Sequence, residues 1–281
     1  MSRNYKRIAA IHDLSGLGRS SLAVVMPIIS CMGIQVCPVP TAVLSTQTSG
    51  YEHYSFVDLT DTLPAYFAHW QSLGMDFDGI YSGFLGSKNQ IQLVSGFIDT
   101  FADEGTLVVV DPVLGDDGQL YATMDEQMVA EMVKLVRKAD VITPNFTELK
   151  YLLGATMEEQ ANREQIEQWM KTLSEWGPKV VMVTSVPIVD EPNQTSVLAY
   201  HRPTDQFYEV KCTYIPAHYP GTGDIFASVI VGSLLQGVDL LESLTRGADF
   251  VTKAINNSFH SGNPIREGVL LEPILKDLML N

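Results

Sequence analysis

The sequence predicts a three-layer α/β/α domain with a mostly parallel central sheet and an antiparallel edge. Three observations carry this reading. Short continuous apolar runs, such as Leu107 to Val110 and Val180 to Val183, are too uniformly hydrophobic for strands with one wet face. Longer amphipathic runs with helical spacing separate them. Near residue 200 this alternation gives way to two extended runs joined by Arg202, Pro203, Thr204 and Asp205, which reads as an antiparallel hairpin at the sheet edge.

Taken in order, Ile8 to Ile11 is a buried strand, Ser20 to Met32 has helical character and Ile34 to Val39 is a second strand. Tyr51 to Phe56 reads either as an edge strand or as a surface loop. Leu63 to Leu73 is a helix, Gly79 to Ser82 a short strand, Gln90 to Ala102 a helix and Leu107 to Val110 a strand. Glu126 to Arg137 is a helix, Val141 to Thr143 a strand, Arg163 to Trp176 a helix and Val180 to Val183 a strand. Thr195 to His201 and Gln206 to Thr213 form the hairpin. After Gly221 the chain reads as helical to its end, over Asp224 to Gln236, Leu240 to Asn257 and Glu272 to Leu280. No repeat, low-complexity tract or linker divides it, so residues 1–281 are expected to form a single domain.

Composition narrows the function. Hydrophobic residues make up 46% and charged residues 18%, which excludes disorder, collagen and coiled coil. The net charge is −15, so the chain repels phosphate backbones and anionic lipid, and neither nucleic acid nor membrane is an expected partner. Cys31, Cys37 and Cys212 are odd in number and contain no C-x-x-C pair, so reduced thiols and a cytoplasmic setting are expected. The apolar stretch after Arg3, Lys6 and Arg7 is too short for a signal peptide. Val24 to Leu44 is broken by Pro27, Gly33, Pro38 and Pro40 and does not read as a membrane span.

Open α/β sheets bind ligands at the carboxyl ends of their strands, and polar residues gather there. His12, Asp13, Ser15, Gly16 and Gly18 follow the first strand. Asp111 to Gly118 follow the Leu107 strand, Asn145 and Glu148 the Val141 strand, and Thr184 the Val180 strand. Turn chemistry alone could account for any one of these. The segment Pro220-Gly221-Thr222-Gly223-Asp224 leads into an apolar helix, where glycine amides and the helix N-terminus suit an anion. A carboxylate in that turn can be a simple cap, or a base placed beside a phosphate, as needed to deprotonate an alcohol attacking a γ-phosphoryl group. Other templates fail: there is no P-loop, no G-x-S-x-G elbow, and Gly16-x-Gly18-x-x-Ser21 lacks the third glycine of a dinucleotide fingerprint. As strand neighbours, His12 and Asp13 should point to opposite faces.

These residues carry a family resemblance. Gly221-Thr222-Gly223-Asp224 with Phe226 and Ala227 resembles the signature of the ribokinase superfamily. Asp111-Pro112-Val113-Leu114-Gly115-Asp116-x-Gly118-x-x-Tyr121 and Thr143-Pro144-Asn145-x-x-Glu148 resemble segments of pyridoxal kinases. The resemblance implies a ribokinase-like fold and an ATP-dependent kinase acting on a primary alcohol, here the 5′-hydroxymethyl group of pyridoxal, pyridoxine or pyridoxamine. It makes Asp224 the base and Gly221, Thr222 and Gly223 the anion hole. It implies that Asp111 and Glu148 position magnesium, mostly through water, that Asn145, Thr184 and Thr222 lie near the nucleotide phosphates, and that Asp116 lies between nucleotide and substrate. A potassium ion often supports the anion hole in this superfamily, and its members are commonly homodimers.

On the substrate side, Ser45-Thr46-Gln47-Thr48 resembles the S-N-H-T segment, with Thr46 for Asn and Gln47 for His. Asp13 stands near where longer-loop relatives place a serine that meets the pyridine ring, and Phe84 where a tyrosine is usual. The resemblance therefore places Asp13, Gln47, Thr48 and Phe84 with Asp224 around the substrate. The short Asp13–Gly18 loop, Thr41-Ala42, Thr48 and Gly50 lean toward hydroxymethylpyrimidine kinases, which make the alternative substrate hydroxymethylpyrimidine. A non-catalytic ligand-binding relative and an NAD-dependent oxidoreductase are the remaining alternatives, since fold does not fix function.

Overall fold

A computed structural model describes residues 4–157, 161–188 and 193–279. The first strand, β1 (Arg7–Leu17), is followed by α1 (Leu22–Cys31), β2 (Gln35–Thr46), the short β3 (Phe56–Asp58) and α2 (Leu63–Ser72). Next come β4 (Gly79–Ser82), α3 (Lys88–Phe101) and β5 (Leu107–Val110). A small hairpin of β6 (Gly115–Asp116) and β7 (Gln119–Leu120) precedes α4 (Glu126–Val136), β8 (Val141–Ile142) and α5 (Phe146–Leu153). The chain continues through α6 (Arg163–Glu175), β9 (Val180–Pro187), β10 (Gln194–His201), β11 (Gln206–Thr213), α7 (Thr222–Leu235) and α8 (Leu240–His260).

Nine of the strands form one sheet, in the order β11-β10-β9-β8-β5-β4-β1-β2-β3. The six from β9 to β2 are parallel, as the buried β-branched runs require. The expected hairpin pairs β10 with β11 antiparallel. The opposite edge is antiparallel too: of the Tyr51–Phe56 segment only Phe56 is extended, and it opens β3, which pairs with β2 from Ala42 to Leu44. The sheet therefore has two antiparallel edges where one was expected.

Helices cover both faces. Ile91, Val94, Phe97, Met132, Leu135, Leu149, Met170 and Leu173, from α3 to α6, pack on Ile11, Ile80 and Val110 on one side. Leu22, Val25, Ile29, Phe226, Ile230 and Leu244, from α1, α7 and α8, pack on Ile8, Tyr81 and Val109 on the other. Successive residues of a strand point to opposite faces, so each buried strand feeds both layers and gives this split.

Three expectations are corrected. β1 and β2 run well beyond Ile11 and Val39, because after a register shift between His12 and Leu14 they go on pairing to Leu17 and Thr46, with β3 added along Ala42 to Leu44. α5 was not expected as a helix, although Asn145-x-x-Glu148 followed by Leu149 and Leu152 and closed by Gly154 is its signal. The proposed Glu272–Leu280 helix is only a single 3₁₀ turn at Leu275–Leu278, because Pro273 disfavours helical backbone at Glu272. Leu280 lies outside the described residues.

The chain leaves β1 toward β2 on one side, and β4, β5, β8 and β9 build on the other. The carboxyl ends of β1 and β4 thus flank the point where strand order reverses, the expected place for a ligand crevice.

Packing between α7 and α8 depends on small residues. A Cβ on Gly247 would stand 2.9 Å from the buried Phe226 ring. Gly247→Ala is expected to cost about 1–3 kcal/mol by overpacking. Gly96, in the middle of α3, has no atom within 4 Å of such a Cβ. Gly96→Ala is expected to stabilise by about 0.5–1 kcal/mol. Urea unfolding of the two variants beside wild type checks both signs.

Candidate active site

The first turn of α7 is built from Gly221-Thr222-Gly223-Asp224. Gly221 takes φ 81° at the N-cap, and a Cβ there would stand 2.1 Å from the Arg19 carbonyl oxygen, so only glycine fits. A Cβ on Gly223 would meet nothing closer than Asp111 Oδ2 at 4.0 Å, so this glycine borders open space in front of the turn. The Thr222 hydroxyl donates to the Tyr219 carbonyl at 3.2 Å. The first amides of a helix have no intrahelical acceptor, so this turn presents donors to the same space.

Asp224 lies in that turn with its side chain only 12% exposed. Its Oδ2 accepts the Ser21 backbone N–H at 2.8 Å. Its Oδ1 lies 4.0 Å from Nδ1 of the fully buried His12. Asp13 is buried as well. Its Oδ1 accepts the Ser21 hydroxyl at 2.5 Å and its Oδ2 that of Ser15 at 3.3 Å. His12 and Asp13 were expected on opposite faces, but the register shift at this point breaks the alternation and both reach the surroundings of Asp224. Asp13 caps no helix: Ser21 holds the N-cap position of α1.

Asp111 and Glu148 complete a buried carboxylate cluster. Glu148 Oε1 accepts the Leu114 N–H at 3.0 Å, and Oε2 accepts the Asn145 N–H at 2.8 Å. Asn145 returns the capping box through Oδ1, and its Nδ2 donates to the Gly115 carbonyl at 2.8 Å. The Thr147 hydroxyl accepts the Gly118 N–H, so the Asp111–Gly118 loop is tied to α5 at several points. Asp116 is exposed at the β6–β7 hairpin. Thr184 sits half-buried at the end of the parallel part of β9, bridging to Asn145.

The sequence-predicted residues thus divide. Asp224, Gly221, Thr222, Gly223, Asp111, Glu148 and Asp13 gather at the strand ends, with Asn145, Thr184 and Asp116 at the adjoining loops. Gln47 is buried, and its amide is consumed locally. Oε1 accepts the Ser49 N–H, and Nε2 donates to the carbonyls of Ser49 and Arg266. Thr48 is exposed and Phe84 half-buried. Sequence reasoning set His12 and Ser21 aside. Ser21 was visible only as the place where a third glycine was missing.

Burial dominates the electrostatics. It pushes Asp224 up to about 7, aided by the charge of Asp13 and opposed by the Ser21 N–H. It pushes Asp111 up to about 8, with Asp224 repelling its charge. Glu148 is raised by burial and by Asp111, and Asp13 by burial against its two hydroxyl donors. His12 is pushed down to about 3 by burial and stays neutral. Among the described residues, no Lys or Arg forms an ion pair with these four carboxylates. Asp111 and Glu148 offer carboxylate oxygens, the donor chemistry that suits magnesium carrying most of its own waters.

Comparison with known proteins places this geometry. The phosphomethylpyrimidine kinase family matches residues 27–267. A Bacteroides thetaiotaomicron protein described as a phosphomethylpyrimidine kinase, crystallised with pyridoxal, is 52% identical and superposes with a TM-score of 0.94 over 98% of this chain and 96% of its own. The pyridoxal kinase of Lactobacillus plantarum is 32% identical, with a TM-score of 0.89 over 97% of this chain and 96% of that one. A Saccharomyces cerevisiae protein named as a pyridoxal kinase is 26% identical over 208 residues, which is 71% of this chain but 63% of the yeast protein's length.

The raised carboxylates set a pH dependence of stability. The folded protein keeps protons on Asp111 and Asp224 to about pH 8 and 7, whereas an unfolded aspartate loses its proton near 3.8. The cluster therefore costs stability progressively as pH rises between those limits, and costs least below them. The ligand-free protein is expected to show a Tm falling from pH 5 to pH 8.5 through this cluster, and Asp111→Asn to raise Tm at pH 8.5 by a few degrees. Thermal melts across that range check it. An Asn variant less stable than wild type at pH 8.5 contradicts the account.

Proposed function

Because this chain belongs to the phosphomethylpyrimidine kinase family, we propose that it phosphorylates the 5′-hydroxymethyl group of vitamin B6 vitamers at the expense of ATP, with Asp224 as the base. One observation carries the reading. A carboxylate with one oxygen fixed by a backbone N–H, and the other with no hydrogen-bond donor among the described residues, stands in the first turn of α7 beside a second buried carboxylate, Asp13.

The chemistry follows from this arrangement. The substrate hydroxyl gives its proton to Asp224 as its oxygen attacks the γ-phosphorus, the bond to the β-phosphate oxygen breaks, and ADP leaves with the electron pair. The proton then passes from Asp224 to water. The amides of Gly221, Thr222 and Gly223 face the charge that grows on the transferring group, and the helix dipole adds to them. Magnesium, when bound, neutralises phosphate charge. Asp111 and Glu148 would hold it through its waters. No set of side chains in the described residues singles out a potassium site. Asn145, Thr184 and Asp116 border the nucleotide, and Asp13 meets the polar edge of the substrate ring beside Phe84. Gln47 and Thr48 shape the loop that closes that side. The pyridoxal in crystals of the Bacteroides thetaiotaomicron protein supports the vitamer over hydroxymethylpyrimidine. The name of the family favours the alternative, so both are assayed.

A coupled ATPase assay against pyridoxal, pyridoxine, pyridoxamine and hydroxymethylpyrimidine tests the reading. Turnover is expected with the vitamers, with kcat/KM falling as pH drops below about 7, where Asp224 takes up its proton. Asp224→Asn should lower turnover by about 10²–10⁴ with an unchanged melt. Near wild-type turnover in that variant removes Asp224 as the base, and turnover of hydroxymethylpyrimidine alone establishes the alternative.

A homodimer belongs to the same proposal. Leu14, Val43 and Val57 lie side by side across β1, β2 and β3 and are 36%, 40% and 53% exposed. Light scattering is expected to give twice the mass of one chain, and Val43→Asp combined with Val57→Asp to return a monomer. A monomeric wild type contradicts it.

A further inference from the structure

Ser21 stands at the N-cap of α1 but makes no cap: its side chain accepts no backbone N–H of the first turn. Its hydroxyl donates instead to Asp13 Oδ1 at 2.5 Å, and its own N–H donates to Asp224 Oδ2 at 2.8 Å. It does so from φ 49°, ψ −135°, a conformation that side chains rarely adopt. The residue is 5% exposed. A serine that gives up its usual capping bond and sits in left-handed backbone costs stability twice. In return, one residue grips two buried carboxylates that repel each other.

We propose that Ser21 is a positioning residue that sets Asp13 for the substrate ring and Asp224 for the hydroxyl in a fixed relation, so that ring recognition and proton abstraction occur in register. The proposal rests on the reading above, in which Asp13 meets the ring and Asp224 takes the proton. Asp224 and Asp13 come from chain segments about 200 residues apart in sequence, and Ser21 is the residue hydrogen-bonded to both. The backbone N–H fixes which Asp224 oxygen remains open, and the hydroxyl fixes the rotation of the Asp13 carboxylate. The second job is closed to a glycine, which would suit the backbone and keep the N–H to Asp224 but has no hydroxyl for Asp13. That explains why the third glycine of the apparent Gly16-x-Gly18-x-x fingerprint is absent.

A double-mutant cycle tests this. Ser21→Gly removes the hydroxyl while accepting the backbone conformation, so it is expected to fold, with a Tm at or above that of Ser21→Ala. Both variants should raise the KM for pyridoxal about tenfold and leave the KM for ATP unchanged. On an Asp13→Ala background the same substitutions should add nothing further, since the hydroxyl's partner is gone. If Ser21→Gly raises the pyridoxal KM as much without Asp13 as with it, or shifts only Tm, the positioning role is overturned while the kinase reading stands. If Asp13→Ala itself leaves the pyridoxal KM unchanged, the ring assignment of Asp13 falls and the proposal falls with it.

Discussion

The carboxyl edge of the sheet is organised around one constraint: four carboxyl groups are buried there with no Lys or Arg ion-pair partner among the described residues. Asp13, Asp111, Glu148 and Asp224 converge from β1, the end of β5, α5 and α7, and Asp13, Glu148 and Asp224 are held by neutral donors, backbone N–H groups and serine hydroxyls. Neutral donors stabilise a buried charge only in part, so the cluster retains a strong demand for positive charge. Basic residues such as Arg19 and Lys253 pair elsewhere, with Glu272 and Asp277.

The same constraint accounts for the local architecture. α5 is short, and its start is fixed by the Asn145–Glu148 capping box. Glu148 also receives Leu114 N–H, so the helix cap and the Asp111 loop are one unit. On the far side, Gln47 ties the end of β2 to Arg266, and the Arg19 N–H donates to the Glu267 carbonyl. Gly18 and Gly268 allow these segments to approach, since a Cβ on either would collide with Gln47 or with Arg19. The loops round the site are thus held by bonds between backbone and side chain, which costs the fold little and leaves the carboxylates themselves open on one side.

Catalysis and stability pull against each other here. Burial raises Asp224 toward neutral pH, where a carboxylate is a better base than an exposed one. The same burial destabilises the ligand-free protein once the protons are lost. His12, fully buried next to Asp224, is held neutral by that burial and adds no charge to the site. Gly83 makes room for it: a Cβ there would stand 2.3 Å from His12 Nδ1.

Local chemistry written into the chain was enough to determine the layers, most element positions and the glycine-rich first turn of α7. β-branched runs such as Leu107–Val110 bury on both faces whatever their neighbours, and Gly221-Thr222-Gly223-Asp224 carries its meaning within one helical turn. What tertiary structure decided is what depends on register or on distant partners. The shift between His12 and Leu14 brought two strand neighbours toward one site, which no period-two argument can foresee. Gln47 read as a ligand because its neighbours resemble a binding segment, yet its amide is spent on Ser49 and on Arg266, a partner 219 residues away. Ser21 looked like a failed glycine, and only the arrival of Asp224 from the far end of the chain gives its strained backbone a purpose. Sequence records which groups a residue can offer, and the fold decides which of them are already taken.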